Sequence, residues 1–218
     1  MKRWAYLNGL ALVVFGFFVV FLLLQALFGW QSWNDELAQA GRPELGLGSY
    51  LASGHFVEAT FENWESEFFQ MGSYVLLTAF LVQKGSAESK RIEEPPEPGD
   101  SLGRITKDSP GPVHRGGWVL RLYENSLALA FFALFLISFL LHLLGGTAAY
   151  NAEQSLTGQP AVSVAQFLGT SEFWFQSMQN WQSEFLAVGA IIVLSIFLRQ
   201  KGSPQSKAVA APHHLTGD

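Results

Sequence analysis

Two long stretches of the chain are dominated by apolar side chains and contain no formal charge. They occupy residues 7–30 and 126–146. A helix rises 1.5 Å per residue, so about 20 such residues cross the ~30 Å hydrocarbon core of a bilayer. We therefore predict a membrane-spanning helix in each stretch.

Two shorter apolar runs, at residues 68–82 and 185–198, each follow a polar phrase. With only about 15 residues, they cross a bilayer only if their polar flanks also enter it. When both are counted, the sequence predicts an all-α membrane protein with four transmembrane helices.

The composition agrees with a membrane protein. Hydrophobic residues make up 49% of the chain and charged residues only 14%, against about 25% charged in soluble domains. The chain has no cysteine, which excludes disulfides and thiolate metal sites. The first apolar stretch is too long for a cleaved signal peptide, and no small-residue cleavage site follows it, so we interpret it as a permanent membrane helix.

The chain contains two copies of one pattern. The phrase NWESEF at residues 63–68 returns as NWQSEF at 180–185, and QKGSAESK at 83–90 returns as QKGSPQSK at 200–207. One shift of 117 positions relates both pairs without a gap. Because an even number of crossings separates the copies, we predict two tandem parallel helical hairpins with a pseudo-two-fold axis along the membrane normal.

The repeat divides the chain into four predicted parts. The first repeat is residues 1–90 and the second is 118–207, each with two transmembrane helices and an outer segment. A cytoplasmic Pro/Gly-rich linker occupies 91–117, and a flexible tail occupies 208–218. The linker contains GDSL at 99–102, a string associated with a hydrolase family, but nothing strand-like surrounds it and we interpret the match as chance.

The basic residues predict the orientation. When both termini and the linker are placed in the cytoplasm, only Arg42 lies outside, and the other twelve of the 13 Lys and Arg residues lie inside. This distribution follows the positive-inside rule. We therefore predict a multi-pass protein with N- and C-termini in the cytoplasm.

The segment NWQSEFLAVGAIIVLSIFLRQKGSPQSK resembles the signature of an uncharacterised family of small bacterial integral membrane proteins. The resemblance covers both repeats, although Ala87 stands where the second copy has Pro204. It implies a location in the bacterial cytoplasmic (inner) membrane. It implies no activity, because none is established for that family.

The repeated phrase predicts interface anchors. Lys84 and Lys201 mark the cytoplasmic boundary, and Trp64 and Trp181 lie 20 residues before them, about 30 Å along a helix. Tryptophan is typical of a membrane–water interface. We therefore predict that both tryptophans anchor their helices at the opposite interface.

Glu67 and Glu184 lie about one helical turn further into the bilayer, where contact with lipid is unfavourable. Helical spacing places each on a polar face with neighbouring side chains. These faces consist of Asn63, Ser66, Glu67 and Gln70 in the first copy and of Asn180, Ser183 and Glu184 in the second. If the faces meet, the carboxylates would share a proton or bind a cation. Alternatively, these side chains only bond one helix to another.

Three other residues have candidate roles. His142 stands where the first copy has Gln25. A buried histidine can ligate haem or relay protons, but one without a symmetry mate is more often a packing residue. Gly72 and Gly189 recur below the glutamates, and we predict close helix packing at both. We predict no cofactor and no metal site.

The sequence supports three hypotheses about function. The first is a structural or interaction protein, with envelope stress as one setting and without enzymatic turnover, because no catalytic constellation or nucleotide loop is present. The second is a small cation or proton channel or transporter that uses Glu67 and Glu184. The third is a membrane enzyme or cofactor carrier that uses His142. The expected partners are the bilayer and further copies of the chain, and no nucleic acid.

Overall fold

The computed structural model describes residues 2–91, 103 and 105–217, with only the backbone described for Lys2. This part of the chain is helical and has no strand. Its helices are α1 (Lys2–Leu7), α2 (Gly9–Gln39), α3 (Leu47–Leu51), α4 (Gly54–Phe80), α5 (Gly111–Arg115), α6 (Gly117–Glu124), α7 (Ser126–Leu156), α8 (Val164–Leu168) and α9 (Ser171–Phe197). The GDSL string and Arg104 lie outside the described residues, so the predicted linker is described only in part.

Two asparagines separate the longest helices from the short helices that precede them. Asn8 Nδ2 donates to the Trp4 oxygen (2.9 Å), and Asn125 Nδ2 donates to the Arg121 oxygen (2.8 Å). An asparagine that bonds a carbonyl four residues earlier competes with the regular helical ladder. The breaks between α1 and α2 and between α6 and α7 therefore have the same local cause.

Within the described residues, α2, α7 and α9 are long and apolar enough to cross a membrane. Three such helices indicate a multi-pass membrane protein. α4 has 27 residues, which is long enough to cross, but Glu and Gln side chains interrupt its apolar sequence. Three of the four predicted spans thus meet the criteria of length and apolarity.

The chain forms two compact units that do not follow the boundaries of the sequence repeats. The first unit comprises residues 1–62 and 139–174, and the second comprises residues 63–138 and 175–218. Each unit therefore contains segments from both copies of the sequence pattern.

In the first unit, an asparagine fixes the segment that follows each of the two longest helices. Asn34 Nδ2 donates to the Leu45 oxygen (3.0 Å), and the Leu45 N–H donates to Asn34 Oδ1 (2.8 Å). Asn151 and Val162 make the same two bonds, at 2.9 and 2.7 Å. We call this arrangement the asparagine lock. It satisfies both backbone groups of one residue and so holds the short segment against the long helix.

An aromatic ring from each following short helix covers a glycine of the long helix before it. A Cβ atom at Gly29 would lie 2.2 Å from Tyr50 Oη, and one at Gly146 would lie 2.8 Å from Phe167 Cε1. Both rings are buried. Glycine is needed at both positions because no side chain fits beneath the ring.

The backbones of α4 and α7 approach each other closely in the first unit. A Cβ atom at Gly54 would lie 2.5 Å from the Ala149 nitrogen, and one at Gly145 would lie 2.8 Å from the Glu58 nitrogen. Small residues permit such an approach between helices, and it is common in membrane proteins. The sequence GGTAA in α7 therefore has a packing role.

In the second unit, Phe69 lies at the centre of an aromatic cluster. Its ring centroid is 4.6 Å from that of Trp181, 5.1 Å from that of Phe135 and 5.7 Å from that of Phe185. These residues belong to α4, α7 and α9, so the cluster joins three helices through ring contacts.

The prediction of close packing is confirmed at Gly72 and is wrong at Gly189. A Cβ atom at Gly72 would lie 3.2 Å from Phe131 Cβ, whereas one at Gly189 would have nothing within 4 Å. The physical reason is that α7 packs its phenylalanines over Gly72, while the corresponding surface of α9 is open.

The segment after α9 bonds back to the loop after α4. Lys207 is only 2% exposed. Its ammonium donates to the backbone oxygens of Gly85, Pro212, His213 and Leu215, at 2.5, 3.3, 3.0 and 2.9 Å. We call this arrangement the lysine clamp. Burial lowers the pKa of Lys207, and the nearby charge of Arg199 lowers it further.

The residues beyond the lysine clamp are also held. Thr216 is 1% exposed, and its Oγ1 accepts a hydrogen bond from the Gly85 N–H (2.9 Å). The Gly217 N–H donates to the Ser86 oxygen (2.9 Å). The sequence predicts a flexible tail at 208–218, but the structure gives this segment specific partners up to Gly217.

Candidate functional site

The polar phrases predicted as a candidate site lie on α4 and α9 within the second unit. Ser66 Oγ donates to the Asn63 oxygen (2.7 Å), and Ser183 Oγ donates to the Asn180 oxygen (2.9 Å). A hydroxyl that bonds a carbonyl three residues earlier stays within its own helix. The hydroxyl proton of each serine therefore has an acceptor within its own helix and needs no ligand.

The polar face predicted on α4 is divided between two environments. Ser66 and Gln70 are buried, whereas Asn63 and Glu67 are exposed. In the second copy, Asn180 is half-buried and donates to the Gln176 oxygen of its own helix (3.1 Å), while Ser183 is exposed. The two faces thus differ in burial, although Asn, Ser and Glu occupy matching positions in both.

Glu65 is the carboxylate that the sequence analysis missed. It is fully buried at 0% exposure. The indole Nε1 of Trp181 donates to Glu65 Oε1 (2.9 Å). This bond joins α4 to α9 beside the aromatic cluster. A carboxylate that is buried next to aromatic rings is costly unless it is hydrogen-bonded, and the indole supplies such a bond.

A comparison of the repeated phrases contained the signal for Glu65. The phrases differ within NWxSEF only at this position, where the second copy has Gln182. A position that departs from an otherwise exact repeat is one where the two copies have different surroundings. Glu67 and Glu184 match each other across the repeat, whereas Glu65 has no glutamate counterpart.

The two matched glutamates both lie in the second unit, Glu67 on α4 and Glu184 on α9. Glu67 is exposed and Glu184 is half-buried. Two carboxylates that face each other bind one proton or one cation between them more readily than either does alone.

The two predicted anchor tryptophans have different neighbours. Trp64 is half-buried and contacts Phe68 edge-on, with 6.5 Å between ring centroids. Trp181 packs on Phe69 and bonds to Glu65. Trp181 thus has contacts with protein in addition to the anchoring at the interface that the sequence predicts.

His142 lies in the first unit, and the predicted glutamate pair lies in the second. The imidazole is 0% exposed and stacks on Phe173 at 4.8 Å between ring centroids. Among the described residues, no group of three or more His, Asp and Glu side chains could hold a metal ion. The surroundings that the structure shows for His142 are those of a packed aromatic core.

The chain matches one protein family over its whole length. It belongs to the family described as Domain of unknown function (DUF6766), which matches residues 1–218. Comparisons with curated proteins and with solved structures found no match. Membership of an uncharacterised family agrees with the resemblance seen in the sequence and leaves function to be argued from the site.

Proposed function

We propose that the protein is an interaction or structural protein of the bacterial cytoplasmic membrane and that it catalyses no reaction. In this proposal both termini and the linker face the cytoplasm, as the distribution of basic residues favours. Envelope stress is a physiological setting in which to look for its partners.

We further propose that α4 is the fourth span and that the two sequence repeats are tandem hairpins with pseudo-two-fold symmetry. The matched contacts support this proposal. The asparagine lock occurs once after α2 and once after α7, and a ring covers a glycine in both places. Contacts that recur at a spacing of 117 residues are expected if one hairpin was duplicated.

The observation that carries the interaction role is the local bonding of the repeated polar phrase. The hydroxyls of Ser66 and Ser183 and the amide of Asn180 all donate to backbone oxygens of their own helices. Glu65 bonds to Trp181 across two helices. The Glu65–Trp181 bond therefore joins two helices, and the groups that bond within their own helices need no ligand.

A second candidate function is a cation or proton channel or transporter. The specific observation in its favour is that two matched glutamates, Glu67 on α4 and Glu184 on α9, lie in the same unit. An ionisable pair in a membrane helix bundle is a common feature of ion and proton pathways. In this reading the pair would carry the transported charge.

Ion flux in proteoliposomes distinguishes the two functions. The native chain is compared with a Glu67→Gln, Glu184→Gln variant, and the matched control is an Asp35→Asn, Glu44→Gln variant, which loses two exposed acids elsewhere. The interaction role predicts no flux of protons or cations in any of the three proteins. Flux that the first variant abolishes and the control retains would replace it with the transport role.

The proposed topology has its own test. The test uses a dual reporter that has one activity in the cytoplasm and another in the periplasm. Fused after Pro96 or after Asp218, it should show only the cytoplasmic activity, because Lys and Arg concentrate on that side. Inserted after Pro43, it should show the periplasmic activity. Periplasmic activity at Pro96 would contradict the proposed orientation.

A further inference from the structure

Gly72 and Gly189 occupy the same position in the two sequence repeats but have different surroundings. In α4, the space beside Gly72 is filled, with Phe131 Cβ 3.2 Å and Phe132 Cε1 3.5 Å from where a Cβ atom would lie. In α9, nothing lies within 4 Å of the corresponding point at Gly189. One copy of the pattern is therefore packed at this position and the other is open.

The open position belongs to a cavity of about 330 Å³ in the second unit, which is within the usual size range of binding pockets. Side chains of α4 and α9 line much of it, among them Tyr74, Leu77, Phe185, Val188, Gly189 and Ile192. The segment after α4 lines the rest with Leu81 and Val82 and with the polar residues Gln83, Glu88 and Ser89. An apolar cavity of this size exposes surface that a further apolar element can cover.

The repeat indicates which side chains would fill this cavity. Phe131 and Phe132 of α7 correspond, at the spacing of 117 residues, to Val14 and Phe15 of α2. Val14 is 55% exposed and Phe15 is 67% exposed. Every residue from Leu10 to Phe21 is exposed in the same way. Val14 and Phe15 are therefore more than half exposed, whereas the matching residues Phe131 and Phe132 of α7 are half-buried.

We propose that the cavity at Gly189 receives Val14 and Phe15 from α2 of a second copy of this chain. Two copies related by a two-fold axis would make this contact twice, since each supplies one α2 and one cavity. Glycine at position 189 lets the incoming helix approach closely, as Gly72 does for α7. This inference rests on the proposed interaction role and names its first partner.

Lipid is the other candidate occupant of an apolar cavity in a membrane protein. The contact at Gly72 favours a helix, because the chain covers the matched glycine with two phenylalanine side chains rather than leaving it to solvent or lipid. The chain also supplies the complementary surface, exposed on α2. A second copy thus accounts for both open surfaces together.

Disulfide crosslinking in membranes tests the contact, because the chain has no cysteine of its own. Two differently tagged chains are co-expressed, one with Val14→Cys and the other with Gly189→Cys. Oxidation is expected to join the two tags in one product. The matched control replaces Val14→Cys by Leu12→Cys, which lies on the opposite face of α2 and is expected to give no crosslink with Gly189→Cys.

A second variant keeps the test independent of cysteine chemistry. Gly189→Leu fills the cavity, and the monomer should stay folded because nothing lies within 4 Å of the new Cβ atom. The expected result is loss of the dimer in native mass spectrometry, with an unchanged helix content by circular dichroism. A dimer that survives Gly189→Leu would overturn the proposal.

Two other crosslinking results would also overturn it. In a single chain that carries both Val14→Cys and Gly189→Cys, a disulfide within the chain, without one between chains, would make its own α2 the occupant. Absence of any disulfide, with lipid retained in native mass spectra of the wild type and released from Gly189→Leu, would make lipid the occupant. Neither result alters the flux measurement, so the dimer and the interaction role fail separately.

Discussion

The segments after α2 and after α7 use the same backbone contacts and different side-chain chemistry. Both have an asparagine lock and a ring over a glycine. The first ring belongs to Tyr50, whose hydroxyl is 3.0 Å from His55 Nδ1. The second belongs to Phe167, which has no hydroxyl. The edge-on ring contacts recur, from Tyr50 to Phe56 at 5.7 Å and from Phe167 to Phe173 at 5.6 Å between ring centroids. Backbone contacts and ring contacts are thus repeated, and the two copies differ in the hydrogen bond that the Tyr50 hydroxyl makes.

The largest effect is expected where the backbones of α4 and α7 approach each other most closely. Gly54→Ala places a Cβ atom 2.5 Å from the Ala149 nitrogen, and such overpacking costs about 1–3 kcal/mol of the free energy of unfolding, or more. Gly48→Ala is the matched control, because nothing lies within 4 Å of its Cβ atom. Thermal unfolding in detergent should separate the two variants. Equal melting temperatures would mean that α4 and α7 do not approach this closely.

A second comparison sets Lys207 against Lys90, its partner in the repeat. Lys207→Met leaves the backbone oxygens of the lysine clamp without their donor, at a cost of about 1–3 kcal/mol in local stability. Lys90 is exposed, and among the described residues it donates to one acceptor, the Ala79 oxygen, so Lys90→Met should cost less. The measurement is the rate of protease cleavage within residues 208–217. Equal rates in both variants would argue against the clamp.

A third prediction concerns the two asparagine locks, which make the same hydrogen bonds and should contribute similarly to stability. Asn34→Ala and Asn151→Ala each remove two hydrogen bonds to a backbone residue, so each should lower the free energy of unfolding by about 1–2 kcal/mol. Hydrogen exchange should rise at residues 41–46 in the first variant and at 158–163 in the second. Effects of very different size would show that only one lock is structurally important.

The smallest expected effect comes from Tyr50→Phe, which makes the first ring chemically like the second. Loss of the bond to His55 should cost about 1 kcal/mol. Burial raises the pKa of Tyr50 above its ordinary 10.0. The stability from this group is therefore fully present below pH 10.0 and is lost as the pH rises through the raised pKa. The absorbance of phenolate at 295 nm is followed as the pH is raised. The native protein should show one late-ionising tyrosine that the Tyr50→Phe variant lacks.

Hydrophobic periodicity and the repeat were enough to predict the long helices and the pairing of their positions. α2 and α7 contain the charge-free stretches, and the shift of 117 positions relates Asn34 to Asn151, whose hydrogen bonds match. Burial of Glu65 was not predicted, because a single sequence shows helical faces but not how many neighbours a helix has. α4 is enclosed on more than one side, which places both Glu65 and Ser66 out of contact with solvent.

The lysine clamp also lay beyond prediction, because it depends on partners distant in sequence. Lys207 belongs to a polar, Pro-containing segment that is typical of a loop. Its partner Gly85 is 122 residues away. Local composition describes the segment by itself and gives no information about a docking surface that another part of the chain supplies.

The bond between Gly85 and Thr216 joins residues that are 131 positions apart. During synthesis, the loop after α4 leaves the ribosome long before the segment that completes it, so Gly85 and Ser86 must wait without these partners while the second repeat is made. Contacts of such long range form late in folding. Residues 1–90 can therefore be made well before the loop after α4 is closed, and a ribosome stalled before residue 207 would hold that loop in its open form.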